Sequence, residues 1–380
     1  MDDVDVVGIT CMTADANRAY TIADQYRQLG IATILGGIHP TALPQEASTH
    51  ATSVVVGEAE NIIQELIADA RNREVKQFYH SSIFHDLKCL PNPRRDLLDE
   101  RYYSTTNVIQ ASRGCPYNCE FCSVGLVAGH HYRFRPVEDV AAEISASDGQ
   151  FWAFLDDNIA GNPNYAAALF SALRPLNIHW FGSCSVPAAG DPNLCRLAAS
   201  SGCKVLLIGF ESLSQVSLAS VNKRFNSVDR FYSVVKNVHD HGIGIIGTFM
   251  LGLDGGVDEA DRIVDFALRA RLDMVQIAIL TPYPGTKLFE TMQAQGRLLT
   301  TDWTQYDTAA GTIVFQPSDV TTSALREAYF NALERLYSPV NIARRLLGSR
   351  RYFPIFVPYN LRQRHKIRLA RALSPHVSEA

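Results

Sequence analysis

The sequence has no apolar run approaching the ~18 residues that a membrane span needs. It also lacks the charge excess that marks nucleic-acid binders, since its formal charge is only −4 over 380 residues. No charged and apolar leader of the secretory kind opens the chain, so the expectation is a soluble, cytoplasmic protein that binds no nucleic acid. The cysteine density of a small secreted scaffold is missing too. Eight cysteines are spread through the chain, and three of them fall between positions 115 and 122. That distribution reads as metal chemistry in a reducing compartment and not as a disulfide framework. Wholesale disorder is excluded by an apolar content of 47%. At this length two or three domains are expected. Only residues 341–380 break the charge balance: nine Arg or Lys against one Glu give about +8 there and leave about −12 for the rest.

What is present is a cysteine loop. Residues 112–122 read Ser-Arg-Gly-Cys-Pro-Tyr-Asn-Cys-Glu-Phe-Cys, which sets Cys115, Cys119 and Cys122 at CxxxCxxC spacing just after the apolar run 107–111. Thiolates are soft ligands suited to iron–sulfur clusters. A cubane has four corners, so three close cysteines can hold three and leave one iron open to a substrate. Zinc would want a fourth protein ligand, and His130 and His131 stand close enough in sequence to compete for that place. The spacing, with the aromatic Phe121 directly before the last cysteine, resembles that of the radical S-adenosylmethionine (radical SAM) superfamily. The resemblance implies a [4Fe–4S] cluster on Cys115, Cys119 and Cys122, S-adenosylmethionine at the open iron, and an external electron donor such as a flavodoxin or ferredoxin.

Before the loop, short apolar runs at 4–10, 31–35 and 54–58 alternate with helix-like stretches at 17–29 and 59–71. Alternation of this kind predicts crossover units on a parallel sheet. Gly36, Gly37 and Gly57 close the second and third runs, where glycine lets a ligand approach the backbone. The segment resembles the second half of the cobalamin-binding domain that precedes many radical SAM domains. It departs from that pattern in having no Asp-x-His-x-x-Gly motif, whose histidine would bind cobalt, and His39 reads as a turn residue. The expectation is a truncated Rossmann-like, cobalamin-binding-type segment over 1–76 that binds cobalamin weakly or not at all, with no histidine on cobalt. Residues 77–104, with Pro91, Pro93, Arg94, Arg95 and Asp96, read as a linker.

From residue 107 the rhythm predicts six strand–helix units. Strands are expected at 107–111, 151–155, 178–182, 205–209, 243–251 and 274–280, and helices at 137–147, 165–173, 192–200, 226–241 and 257–270. Six such units make the fold class α/β, with a partial (β/α)6 radical SAM barrel over 105–286. Reacting groups of such a barrel cluster at the strand C-terminal ends.

Those ends carry chemistry. Asp156 and Asp157 close the second strand, either capping the next segment or, as the resemblance implies, meeting the methionyl amine. Ser183, after the third, can donate to the methionyl carboxylate, while Cys184 reads as a core thiol. Gly209 and Glu211 end the fourth, and the resemblance gives the glutamate both ribose hydroxyls. A buried Glu without a partner would be costly; Lys223 or Arg224 could neutralise it, or both could sit at a solvated helix start. Residues 252–256 form a glycine-rich turn, and Pro282 opens the Pro-x-Pro-Gly-Thr turn that the resemblance sets beside the adenine. Arg133 and Arg135 could hold an anionic substrate or be surface residues. Residues 287–380 read as a helical cap over the barrel with a basic tail, either a solvated basic helix pair or a membrane-surface contact.

The resemblance thus implies an enzyme that cleaves S-adenosylmethionine reductively to a 5′-deoxyadenosyl radical and takes hydrogen from an unactivated carbon of a small molecule. Methyl transfer would follow if methylcobalamin is present. Two other readings stay open: a cobalamin-free radical cyclisation, rearrangement or oxidation, and a zinc- or cluster-binding interaction protein without turnover.

Overall fold

Two parallel sheets order the chain, and each follows from the expected alternation of apolar runs and helices. The computed structural model describes residues 4–81, 84–129, 131–253, 256–308, 311–347 and 353–373. The first sheet contains β1 (Val6–Thr10), β2 (Ala32–Gly36), β3 (Ser53–Val56) and β4 (Phe78–His80) in sequential order, all parallel. β4 falls in the stretch read as a linker. At three residues it is too short to show a period, yet Tyr79 is buried and its hydroxyl donates to Asp69 at 2.6 Å. His39 is not in a turn but in the short helix Ile38–Ala42, fully buried. Gly37 has φ +98°, and a Cβ there would meet Thr10 Oγ1 at 2.5 Å and the Cys11 carbonyl at 2.9 Å. The close approach this glycine permits is therefore that of the chain's own β1 end, not of a ligand.

The second sheet has the order β12-β11-β10-β9-β8-β5, parallel throughout, which is the expected open barrel. Its strands are β5 (Val108–Ile109), β8 (Phe151–Phe154), β9 (His179–Cys184), β10 (Cys203–Glu211), β11 (Gly244–Leu251) and β12 (Met274–Ile279). Between β5 and β8 a small antiparallel ribbon of β6 (Ser112–Arg113) and β7 (Arg133–Phe134) brackets the cysteine loop. Phe210 on β10 packs on Phe231, Phe249 and Phe266 with ring centres 4.9–5.7 Å apart, locking helices to the sheet. Two of the surrounding helices, Pro163–Leu173 and Pro192–Ser200, start on the side-chain caps Asn162 and Asp191 followed by proline.

The C-terminal part reaches the barrel mouth through the helix Lys287–Ala294, while much of the rest packs elsewhere. Trp303 and Tyr306 pack into the core of the first sheet with Tyr20 and Leu35, and Trp303 Nε1 donates to Glu46 at 2.8 Å. The helices Thr322–Leu336, Pro339–Leu346 and Phe353–Leu373 cover the β12 side, where an open sheet edge needs a cover. Tyr337 donates to the Val275 carbonyl at 2.6 Å, at the start of β12. Arg345 is wholly buried and donates to the carbonyls of Leu272, Asp273 and Leu336 and to Asn360 Oδ1 at 2.8–3.1 Å. The solvated-pair reading of the basic end therefore fails at Arg345, because the turn before β12 needs its donors. Among the described residues, no helix is long and apolar enough to cross a membrane.

Candidate active site

The cysteine loop hangs over the C-terminal ends of β5, β8, β9 and β10, and its N-terminal end is held by the carboxylates after β8. Asp156 is 2% exposed and accepts from the Ala111 amide at 3.1 Å and from the Ser112 hydroxyl. Burial pushes its carboxyl up to about 6, against the pull of those two donors. Its oxygens serve the chain, so Asp156 is a loop anchor and not a contact for an amine. Asp157 is exposed at the mouth and accepts from the Gly114 amide at 3.1 Å. Both carboxylates thus answer loop amides that no strand partner satisfies.

Next comes Asn158, which sequence reading passed over. It is 2% exposed, and its Oδ1 accepts from the Ser185 amide at 3.1 Å. Burial pushes the Cys115 thiol up, while the Tyr117 backbone and then the Asn158 side chain pull it down. Ser183 is half-buried on β9, and Cys184 behind it is a core thiol.

On the other side, β10 ends at Glu211, a non-glycine residue at φ +66°, after a register shift against β11. Asn226 holds this bend by donating to the carbonyls of Gly209 and Phe210 at 2.9 and 3.2 Å. Glu211 is 9% exposed, and Lys223 Nζ lies 2.7 Å from its Oε1. The partner that a buried glutamate requires is therefore Lys223, itself 9% exposed, while Arg224 is exposed. A Cβ on Gly209 would run into the Glu211 carboxylate and meet Lys223 Nζ at 3.1 Å, so this glycine makes room for the ion pair. Burial opposes the charge on Lys223, but Glu211, Cys119 and Cys122 outweigh it and raise its pKa.

The segment around Lys223 also grips the loop. Asn222 Nδ2 donates to the Asn118 carbonyl at 2.7 Å, the Glu120 amide donates to the Val221 carbonyl at 3.1 Å, and Tyr117 stacks on Phe225. Phe121 is half-buried against the barrel core, its ring centre 5.7 Å from Lys223 Nζ. Pro282 is buried, and Thr286 at the end of that turn caps the helix Lys287–Ala294. The Leu288 amide of this helix donates to the Glu120 carbonyl at 2.9 Å. A cleft of about 480 Å³ runs beside Cys119 and Cys122, bounded by Asn118, Glu120 and Lys287.

The arginines near the loop are engaged elsewhere. Arg133 pairs with Glu58 at 2.6 Å, Arg113 with Glu58 at 3.1 Å and Glu60 at 2.6 Å, and Arg135 with Glu143 at 2.7 Å. Arg113 and Arg133 face each other across β6 and β7, so one buried carboxylate just after β3 ties both strands of the ribbon. Neither Arg133 nor Arg135 is free for an anionic substrate.

Whether these residues fit a cluster depends on the donor set. Cys115, Cys119 and Cys122 lie within electrostatic reach of one another, and burial pushes Cys119 up to about 12, with Lys223 working against it. Among the described residues, no group of three His, Cys, Asp or Glu side chains stands in ligating geometry, so closure around a metal requires the loop to draw in. His131 packs its ring on Phe84 at 5.6 Å, and His130 lies outside the described residues. Three soft thiols beside a buried cation, with no fourth protein donor among the described residues, suit a cluster with one open corner better than four-coordinate zinc. His39 offers cobalt no free nitrogen: its ring faces Thr13 Oγ1 at 3.4 Å and Glu46 Oε1 at 3.3 Å and lies 5.1 Å from the Trp303 ring. Asp254 and Gly255 of the glycine-rich turn after β11 lie outside the described residues.

A thiol loop at the mouth of an open parallel barrel, preceded by a small parallel sheet, defines a cluster-dependent α/β enzyme. Comparison with known proteins sharpens that class. Residues 109–267 match the radical SAM superfamily, residues 2–67 the B12 binding domain, and residues 286–366 a domain of unknown function, DUF4070. The chain is 32% identical over 384 residues to the bacteriochlorophyllide d C-12(1)-methyltransferase of Chlorobaculum tepidum, covering 98% of this chain and 82% of that protein. It is 30% identical over 326 residues to the bacteriochlorophyllide d C-8(2)-methyltransferase of the same organism, covering 80% and 72%. In fold it resembles the radical SAM methyltransferase TsrM from Kitasatospora setae, solved with cobalamin and a [4Fe–4S] cluster (TM-score 0.69, 15% identity, 98% of this chain and 89% of that one). The chain belongs to the radical SAM superfamily, in the branch of methyltransferases that carry a cobalamin-binding domain. Membership brings a [4Fe–4S] cluster and S-adenosylmethionine, with cobalamin as the family's third cofactor.

Proposed function

We propose that this enzyme methylates an unactivated carbon of a small-molecule substrate, with electrons from an external donor protein. The observation that carries the reading is the three-thiol loop at the barrel mouth, joined to a B12-type sheet by the Glu58 ion pairs. When bound, the cofactors supply an electron for cleaving S-adenosylmethionine, a 5′-deoxyadenosyl group that takes the hydrogen, and the methyl group that replaces it. The chain's own residues position and enclose. Cys115, Cys119 and Cys122 hold three corners of the cluster, and Asp157, exposed beside the loop, offers a carboxylate to the methionyl ammonium. Ser183 can donate to the methionyl carboxylate. Glu211 keeps Oε2 for the ribose hydroxyls, since Lys223 holds Oε1. Pro282 and Pro284 give a stiff apolar wall beside the adenine. In this division the cobalamin-type unit, read as 1–76, extends through β4 to His80, the barrel occupies 105–286, and the C-terminal helices brace it.

Glu211→Gln tests the site. It keeps the volume but weakens acceptance of hydroxyl donors, so S-adenosylmethionine binding should weaken by roughly 1–3 kcal/mol with iron content unchanged. The measurement is equilibrium binding to anaerobic, cluster-loaded protein. An unchanged dissociation constant removes Glu211 from the site.

A further inference from the structure

We propose that Lys223 sets the reduction potential of the cluster, a buried cation placed against the cysteine loop and held there by Glu211. This rests on Cys115, Cys119 and Cys122 being the cluster ligands. Lys223 is 9% exposed, and its ammonium lies 2.7 Å from Glu211 and 5.7 and 5.6 Å from the ring centres of Phe121 and Phe225. Phe121 precedes Cys122, so the charge faces the loop and not solvent. Hydrogen bonds from the preceding residues fix its distance: Asn222 to the Asn118 carbonyl at 2.7 Å and the Glu120 amide to Val221 at 3.1 Å. Those two bonds flank Cys119.

The physical consequence has a sign. Reduction adds one negative charge to a cluster that already carries three thiolates, and a nearby cation in a low-dielectric site favours the reduced form more than the oxidised one. Lys223 therefore raises the potential. Glu211, whose charge acts on Cys119 less strongly than that of Lys223, cancels part of that field. Removing each charge should shift the potential in opposite directions, which a general loosening of the site would not do.

The test is a redox titration of anaerobic, cluster-loaded wild type, Lys223→Gln, Lys223→Arg and Glu211→Gln, followed by spin resonance without S-adenosylmethionine, with iron per chain measured alongside. Lys223→Gln should lower the reduced-to-oxidised ratio at fixed potential by ~tenfold, a shift of about 59 mV to more negative values. Lys223→Arg should stay near wild type, and Glu211→Gln should shift positive. Equal potentials in wild type and Lys223→Gln at equal iron content overturn the proposal. If Lys223→Gln holds no iron, Glu211→Gln decides: a positive shift supports the assignment and an unmoved potential overturns it. Wild type that holds no iron removes instead the ligand assignment on which the proposal rests.

Discussion

Replacing Cys115, Cys119 or Cys122 with alanine should abolish both the iron content and the cleavage of S-adenosylmethionine. A cluster held at three corners has no spare protein ligand among the described residues, where His131 is packed on Phe84. The same change at Cys11, Cys89, Cys184, Cys195 or Cys203 should leave the iron in place. Cys11, Cys184, Cys195 and Cys203 are buried in apolar surroundings, and burial pushes Cys11 up to about 11 and Cys195 up to about 12. Thiols of that kind pack but do not bind metal readily. Iron and sulfide analysis of the eight variants checks this. A need for any of those five in reaching four irons per chain would contradict an open corner.

Arg345→Met should be the most damaging single change far from the mouth. It leaves the carbonyls of Leu272 and Leu336 and the amide oxygen of Asn360 without this buried donor, and the Asp273 carbonyl with Asn360 Nδ2 alone of the two. Methionine fills most of the volume, so the loss is chiefly that of hydrogen bonds, about 3 kcal/mol in sum. In a chain of this size that lowers the melting temperature by roughly 4 °C. The neighbouring Arg344 is exposed, and Arg344→Met should leave melting nearly unchanged. Equal melting of the two variants would show that the buried network does not brace β12.

The contrast between these two arginines shows what the sequence made legible. Alternating apolar runs and glycine stops located the six barrel strands and three of the four in the first sheet, because those signals are local. The cysteine loop was legible for the same reason, with its ligands inside one short segment. Partners distant in sequence were not. Glu58 meets Arg133 across 75 residues and Arg345 meets Leu272 across 73, and nothing near either residue announces the pairing. Local composition made Arg133 and Arg135 look available and Arg345 look solvated, whereas all three are committed to buried acceptors. Asp156 failed differently. The strand end told that a carboxylate was there, but not that the loop amides would claim it while Asp157 stayed exposed. Lys223 was weighed as a partner for Glu211 from charge alone, and the bend pinned by Asn226 is what brings the two together.

The central claim is that the loop holds an iron–sulfur cluster whose open corner binds and cleaves S-adenosylmethionine. The most direct measurement is spin resonance of the anaerobic, reduced wild-type protein with and without S-adenosylmethionine, with product analysis of the same samples. The account predicts a cluster signal that changes shape when S-adenosylmethionine is added, and methionine and 5′-deoxyadenosine formed in equal amounts. A protein that carries zinc, or a cluster signal indifferent to S-adenosylmethionine with neither product formed, would contradict it.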